Sequence, residues 1–311
     1  MAAPAAARPR IGLALGSGSA RGWAHIGVIE ALVEAGIRPD IVCGTSIGAL
    51  VGAAHIAGRL DALREFALKV SWREIVRLLD VRLRGGGLVD GKRILGLLRG
   101  LGIDRPIERY DTPFAAVATD LETGREVWLR EGPIEAAVRA SVSIPGIFSP
   151  MRVDGRWLAD GGLVNPVPVS ACRALGADVI VAVNLNDEIM VRFEGSGGLR
   201  RRPVPVGSSP EFLSRILGQI PPAIRQQASA IAPRLLRSGP AAPGYFEVLV
   251  NALNVMQGQI TRARLAGEPP HVMLMPRLRT IGLMQFNRAE EAIAEGRACV
   301  EQALPALSRH L

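Results

Sequence analysis

Lysine, histidine, cysteine and aromatic residues are all scarce in this 311-residue sequence, and each scarcity closes off an explanation. Aromatic residues make up 4%, too few for the aromatic-interleaved basic patches that hold nucleic acid, and no zinc-finger spacing is present. The three cysteines, Cys43, Cys172 and Cys299, are odd in number and lack a C-x-x-C pair. They read as reduced core residues of a cytoplasmic protein rather than a disulfide framework. No apolar run is long enough to span a bilayer, which takes about 20 residues. The longest candidate, Ile47 to Gly58, is short, rich in small residues and carries His55. Any membrane contact is therefore expected to be peripheral. Met1 to Arg10 is rich in Ala and Pro without the apolar stretch of a signal peptide, and reads as a loose tail.

What is plentiful points to an α/β architecture. The chain is 48% hydrophobic, mostly Ala, Leu, Val and Ile, with 35 glycines, a composition suited to helices packed tightly on a sheet. Only Lys69 and Lys92 among the 37 basic residues are lysines, so the formal charge of +8 is carried almost wholly by arginine. That excess favours an anionic partner such as a phospholipid surface or an acidic substrate, although an arginine-biased but otherwise ordinary surface has the same composition.

Along the chain, Arg10 to Leu15 predicts a buried strand. A Gly/Ser loop over 16–19 follows, then a helix of about 13 residues that stops before Gly36. A second strand is expected at Ile41 to Cys43, with Ser46 at its end and a helix from Ile47 to Ala57. The opening is thus a βαβ unit. Further helices are expected at Leu60 to Leu79, Lys92 to Arg99 and Pro133 to Ala140, and strands at Phe114 to Thr119, Glu126 to Leu129, Trp157 to Ala159 and Asp178 to Asn184. From Asp187 the texture turns to Gly, Ser, Pro and Arg, and residues 188–243 read as a flexible insertion or lid. Regular structure resumes with a helix from Tyr245 to about Leu265, a strand at His271 to Met275 and a last helix from Arg288. A single domain over 11–311 accommodates all of this.

Chemistry concentrates in three places. Gly44-Thr45-Ser46-Ile47-Gly48 fits the nucleophile elbow, in which a serine sits on a tight strand-to-helix turn and small neighbours prevent collisions. Gly16-Ser17-Gly18-Ser19-Ala20-Arg21-Gly22 follows a strand and opens a helix, where backbone amides can receive a developing oxyanion. Its glycines also loosely match a dinucleotide fingerprint, but the place of the acidic ribose ligand is taken by the elbow. The third place is Asp160, at a strand end and followed by Gly161-Gly162. Taken alone it is no more distinctive than the Asp154-Gly155 turn. The four histidines, His25, His55, His271 and His310, lie on helices, at a strand start or beside the terminus, and none sits in a Gly-framed loop.

Together the glycine-rich loop ending in Arg21-Gly22, the elbow about 25 residues on and the distal Asp160-Gly161-Gly162 resemble the patatin-like phospholipase family, in particular bacterial members akin to the neuropathy target esterase catalytic domain. The resemblance runs from about Ile11 to Asn184 and more weakly through Asn254 to Arg264 and His271 to Arg297. It implies a three-layer fold with a mainly parallel sheet and helices on both faces. It also implies a Ser46 nucleophile, Asp160 as base in a catalytic dyad, and an oxyanion hole at the Gly18 and Ser19 amides. Gly16, Arg21, Gly22, Gly44, Gly48, Gly161 and Gly162 would support the loops. Ser17-Gly18-Ser19 departs from the family's triple glycine. The implied activity is carboxylic ester hydrolysis on phospholipid or lysophospholipid through an acyl-enzyme, with no metal or cofactor. Membrane contact would be peripheral, at the inner face. Two alternatives stay open: an α/β-hydrolase esterase with a triad completed by His271, and a non-catalytic regulatory protein on the same fold.

Overall fold

The computed structural model describes residues 8–70, 91–186 and 245–310. The strands are β1 (Ile11–Leu15), β2 (Ile41–Thr45), β3 (Phe114–Asp120), β4 (Glu126–Leu129), β5 (Met151–Val153), β6 (Arg156–Asp160), β7 (Val179–Val183) and β8 (Val272–Leu274). They form one sheet in the order β5-β6-β3-β2-β1-β7-β8, with β4 paired to β3 off that path. The helices are α1 (Ala24–Glu34), α2 (Ile47–Ile56), α3 (Leu60–Lys69), α4 (Lys92–Gly100), α5 (Ile134–Ser141), α6 (Val169–Ala174), α7 (Tyr245–Gly267) and α8 (Ala289–Leu307).

The mixed α/β class with a mostly parallel sheet follows from the strand sequences. β1 (IGLAL), β2 (IVCGT) and β7 (VIVAV) are buried at every residue, which requires apolar or small side chains at consecutive positions and layers on both faces. Alternate residues then separate into two cores. Leu13, Leu15, Val42, Val181 and Val183 face α1, α2 and α8, whereas Ala14, Ile41, Cys43, Ile180 and Ala182 face α6.

Two helices far apart in sequence meet almost backbone to backbone. A Cβ on Gly27 of α1 would lie 1.9 Å from the Ile293 carbonyl oxygen, and one on Gly296 of α8 would lie 2.0 Å from that of Ala24. Only glycine permits this approach. α1 itself ends in a Schellman motif on Gly36, with Ile37 N–H bonded to the Leu32 carbonyl and Gly36 N–H to that of Val33.

Several elements differ from the sequence reading. A 3-10 turn over Ser19–Trp23 precedes α1. β2 continues to Thr45, because Gly44 and Thr45 stay in the ladder between β1 and β3. Asp154-Gly155 turns an antiparallel β5–β6 hairpin. The stretch after Gly162 holds α6, too short to show a helical period. Of the helix expected at Leu60 to Leu79, α3 is its described part. The rest, like the 188–243 insertion, lies outside the described residues. Among the described residues no helix is long and apolar enough to cross a membrane.

Candidate active site

Strand register brings the two candidate residues together. β4 occupies one edge of β3 along Ala116 to Thr119, so β2 and β6 must share the other. β2 runs up that edge until Thr45 lies opposite Val117, and β6 runs down it until Asp160 lies opposite Ala118. The two strands abut end to end, and what leaves each end is Ser46 and Asp160. Ser46 Oγ donates to Asp160 Oδ2 at 2.6 Å, and both residues are buried.

The backbone at Ser46 is strained. Ser46 has φ +57° and ψ −124°, a conformation that L-residues rarely adopt and that only dense surroundings maintain. Those surroundings leave no room beside it: a Cβ at Gly44 would stand 2.4 Å from the Ala49 nitrogen, and one at Gly48 2.2 Å from the Leu15 oxygen. Ser46 N–H donates to Ser141 Oγ at 2.8 Å, and Ser141 in turn donates to the Val117 carbonyl at 2.6 Å. Thr45 Oγ1 is tied to the Asn165 carbonyl at 2.8 Å. Asn165 reaches Glu126 at 2.7 Å, and Glu126 pairs with Arg264 of α7 at 2.9 Å.

Asp160 is held as firmly. Its N–H donates to the Ser143 carbonyl and its own carbonyl accepts from Thr119 Oγ1. Oδ1 accepts the Gly162 N–H at 2.7 Å, capping a 3-10 turn over Gly161–Leu163. At Gly161 a Cβ would sit 2.2 Å from the Val117 oxygen. Burial raises the carboxyl pKa from its usual 3.8 to about 6, against the opposing pull of the Ser46 hydroxyl and the Gly162 amide.

The glycine-rich loop lies at the end of β1 and crosses the same end of the sheet. Gly16 N–H bonds Val183 O, Ser17 N–H bonds Pro166 O, Ala20 N–H bonds Leu283 O and Arg21 N–H bonds Gly18 O. Among the described residues the Gly18 and Ser19 amides make no hydrogen bond, and Ser19 is itself at φ +52°. Arg21 is buried and bonds Ile281 O at 2.8 Å and Asn186 at 3.4 Å, while Asn186 also holds Ser17 O. Gly22 packs on Ile47, the first residue of α2.

Each histidine is otherwise placed. His25 Nε2 lies 2.7 Å from Gly16 O, and burial lowers the ring's pKa from 6.5 to about 4, so it is neutral and donates to that carbonyl. Its Nδ1 has no partner among the described residues. His271 Nδ1 accepts the Ile180 N–H, and its ring packs edge-on against His310. Because Val272, Val181, Leu13 and Val42 share one level across the sheet, His271 sits at the opposite end from Ser46. Strand spacings put them roughly 20 Å apart. His55 closes α2.

Two hollows meet at Ser46. One, about 810 Å³ and open-mouthed, is almost wholly apolar and is bounded by Trp23, Leu50, Phe66, Ile94, Leu97 and Phe148. The other, about 450 Å³, runs along the glycine-rich loop past Ser17, Asn254, Gln257 and Met284. Ser141, Asn254 and Gln257 drew no notice in the sequence. Ser141 closes α5 as one polar residue among several on that helix and carries no sequence signal of its own.

Residues 13–173 match the family model described as patatin-like phospholipase. An uncharacterised NTE family protein of Mycobacterium tuberculosis is 38% identical over 98% of this chain and 96% of its own length. A patatin-like phospholipase domain-containing protein of Caenorhabditis elegans is 34% identical over 66% of this chain and 16% of its own. A protein of Emericella nidulans named as a lysophospholipase is 34% identical over 56% of this chain and 12% of its own.

Proposed function

The chain belongs to the patatin-like phospholipase family, and from that premise we propose that it is a serine lipid acyl hydrolase working through a Ser46–Asp160 dyad and an acyl-Ser46 intermediate. The observation that carries the proposal is the buried 2.6 Å hydrogen bond from Ser46 to Asp160 at the mouth of an apolar hollow.

In this reading Asp160 accepts the hydroxyl proton as Ser46 Oγ attacks the ester carbonyl carbon. The carbonyl oxygen becomes an oxyanion that the Gly18 and Ser19 amides receive. Each such donor contributes about 3 to 4 kcal/mol to barrier lowering. The protonated Asp160 then gives its proton to the departing alcohol. A water, deprotonated by the same carboxylate, attacks the acyl-enzyme, releases the fatty acid and restores Ser46. A pKa near 6 suits both halves of the cycle. The carboxylate is ionised at neutral pH, yet it is a stronger base than an ordinary aspartate. The apolar hollow takes the acyl chain, and the arginine-rich surface favours peripheral contact with anionic lipid.

A fluorophosphonate probe and a lipid panel test this together. Labelling of the wild-type protein, lost in Ser46→Ala, is expected alongside fatty-acid release from lipid acyl esters of the panel, which spans phospholipid, lysophospholipid and neutral glycerides. Labelling that persists in Ser46→Ala, or a protein that neither labels nor releases fatty acid, would leave a non-catalytic role on this fold.

A further inference from the structure

An ester has two ends, and two unlike hollows meet at Ser46. The larger is nearly all apolar and suits an acyl chain. The smaller is mixed: apolar Ile144, Ile147, Leu253 and Met284 line it together with polar Ser17, Asn254 and Gln257. Asn254 and Gln257 are three residues apart on α7 and so present their carboxamides on one face, toward the loop that carries Gly18. Gln257 Oε1 accepts from Ser17 Oγ at 3.0 Å, which fixes the amide and leaves its Nε2 close to Gly162, beside the Asp160 carboxylate. The half-buried Asn254 carboxamide makes no hydrogen bond among the described residues. A primary amide carries two donors and an acceptor. In a cleft that Ser46 also lines, the Asn254 carboxamide can offer these to the hydroxyl groups of a ligand. No ionisable side chain of the described residues lines this cleft.

We propose that this cleft is the alcohol-side subsite. Resting on the acyl hydrolase reading, the proposal is that Asn254 and Gln257 recognise the hydroxyl groups of a small neutral polyol, so that the substrate is a monoacyl ester of a glycerol-like alcohol. Amide side chains both donate to and accept from vicinal hydroxyls. The apolar residues of the lining cover the carbon skeleton. A phosphate seated directly behind the ester oxygen would find no counter-charge on this lining.

The test uses the full-length protein and three decanoyl esters with one acyl chain in common: the monoglyceride, the methyl ester and the lysophosphatidylcholine. Rates are expressed per molecule labelled by fluorophosphonate, so that a fraction of misfolded variant drops out. Wild-type kcat/KM is expected to favour the monoglyceride over the methyl ester by about tenfold or more, the worth of two neutral hydrogen bonds. Asn254→Leu and Gln257→Leu should each lower that ratio about fivefold, and Asn254→Ser should restore part of it. A ratio unchanged in both leucine variants, or a wild-type preference for the lysophospholipid over the monoglyceride, overturns the subsite while leaving the hydrolase standing. Failure of all three esters together with failure to label would instead remove the hydrolase reading, and the subsite with it.

Discussion

Replacing Asp160 by Asn should abolish turnover and at the same time stabilise the protein at pH 8. The side chain keeps its shape: Asn Oδ1 can still accept the Gly162 N–H, and its amide can donate to Ser46 Oγ in a reversed hydrogen bond. What disappears is a buried negative charge. The carboxyl pKa stands about two units above its unfolded value of 3.8. At about 1.4 kcal/mol per unit, keeping it ionised costs the fold about 3 kcal/mol. That cost is absent below pH 3.8, grows as pH rises to about 6 and is constant above. His25 works in the other direction. Its pKa falls from 6.5 to about 4, so the fold loses a similar amount as pH drops through that window. In the wild type these two slopes nearly cancel between pH 4 and 6.5. In Asp160→Asn the His25 slope stands alone, and stability should climb by about 3 kcal/mol across the same range. At pH 8 the variant should melt about 5 °C above the wild type, at roughly 2 °C per kcal/mol for a chain of this size. At pH 4 the gap should close. Differential scanning calorimetry at several pH values, beside kcat/KM on a soluble ester, reads both effects. A variant that melts below wild type at pH 8, or a gap that does not change with pH, would refute the reasoning.

Other outcomes follow from the same geometry. Wild-type kcat/KM should rise through an apparent pKa near 6 and then level off, because Asp160 must be a carboxylate to accept the proton; a pH profile on a soluble ester checks it. His271→Ala should keep turnover close to wild type, since the ring lies at the far end of the sheet; a fall matching that of Ser46→Ala would revive the triad. Ser141→Ala leaves the Ser46 amide and the Val117 carbonyl unpaired, which should cost about 2 to 4 kcal/mol in urea unfolding and slow fluorophosphonate labelling. Leu97→Trp should fill part of the apolar hollow and move the chain-length optimum toward shorter acyl esters.

The layered fold was legible because buried parallel strands must be mostly apolar or small, and β1 and β7 are so throughout, β2 and β3 until their last one or two residues. Ser46 and Asp160 were legible as candidates because glycines crowd around them, and a Cβ at Gly44, Gly48 or Gly161 would meet backbone within about 2.5 Å. Their 2.6 Å separation was not legible. It depends on β2 and β6 sharing one edge of β3, a long-range register with no local signature. α6 has six residues, fewer than two turns, and gives no period to detect. Asn254 and Gln257 were missed for another reason: amides on a long helix look like ordinary solvated positions until the helix is seen lying over the glycine-rich loop. His25 reads as structural in the sequence, but its bond to Gly16 O, which ties α1 to the start of that loop, had no sequence signal.

The contact between Gly27 and Gly296 has a consequence in time. During synthesis the glycine-rich loop and the elbow leave the ribosome well over two hundred residues ahead of the segment that secures them. Ala20 and Arg21 are fastened to Leu283 and Ile281, and α1 is closed over by α8. The nascent chain therefore holds Ser46 early but lacks the clasp that shapes the loop above it. On the proposed reading the site would stay unformed until residues 281–296 have emerged, and deletions reaching back past residue 281 should resemble that unfinished state.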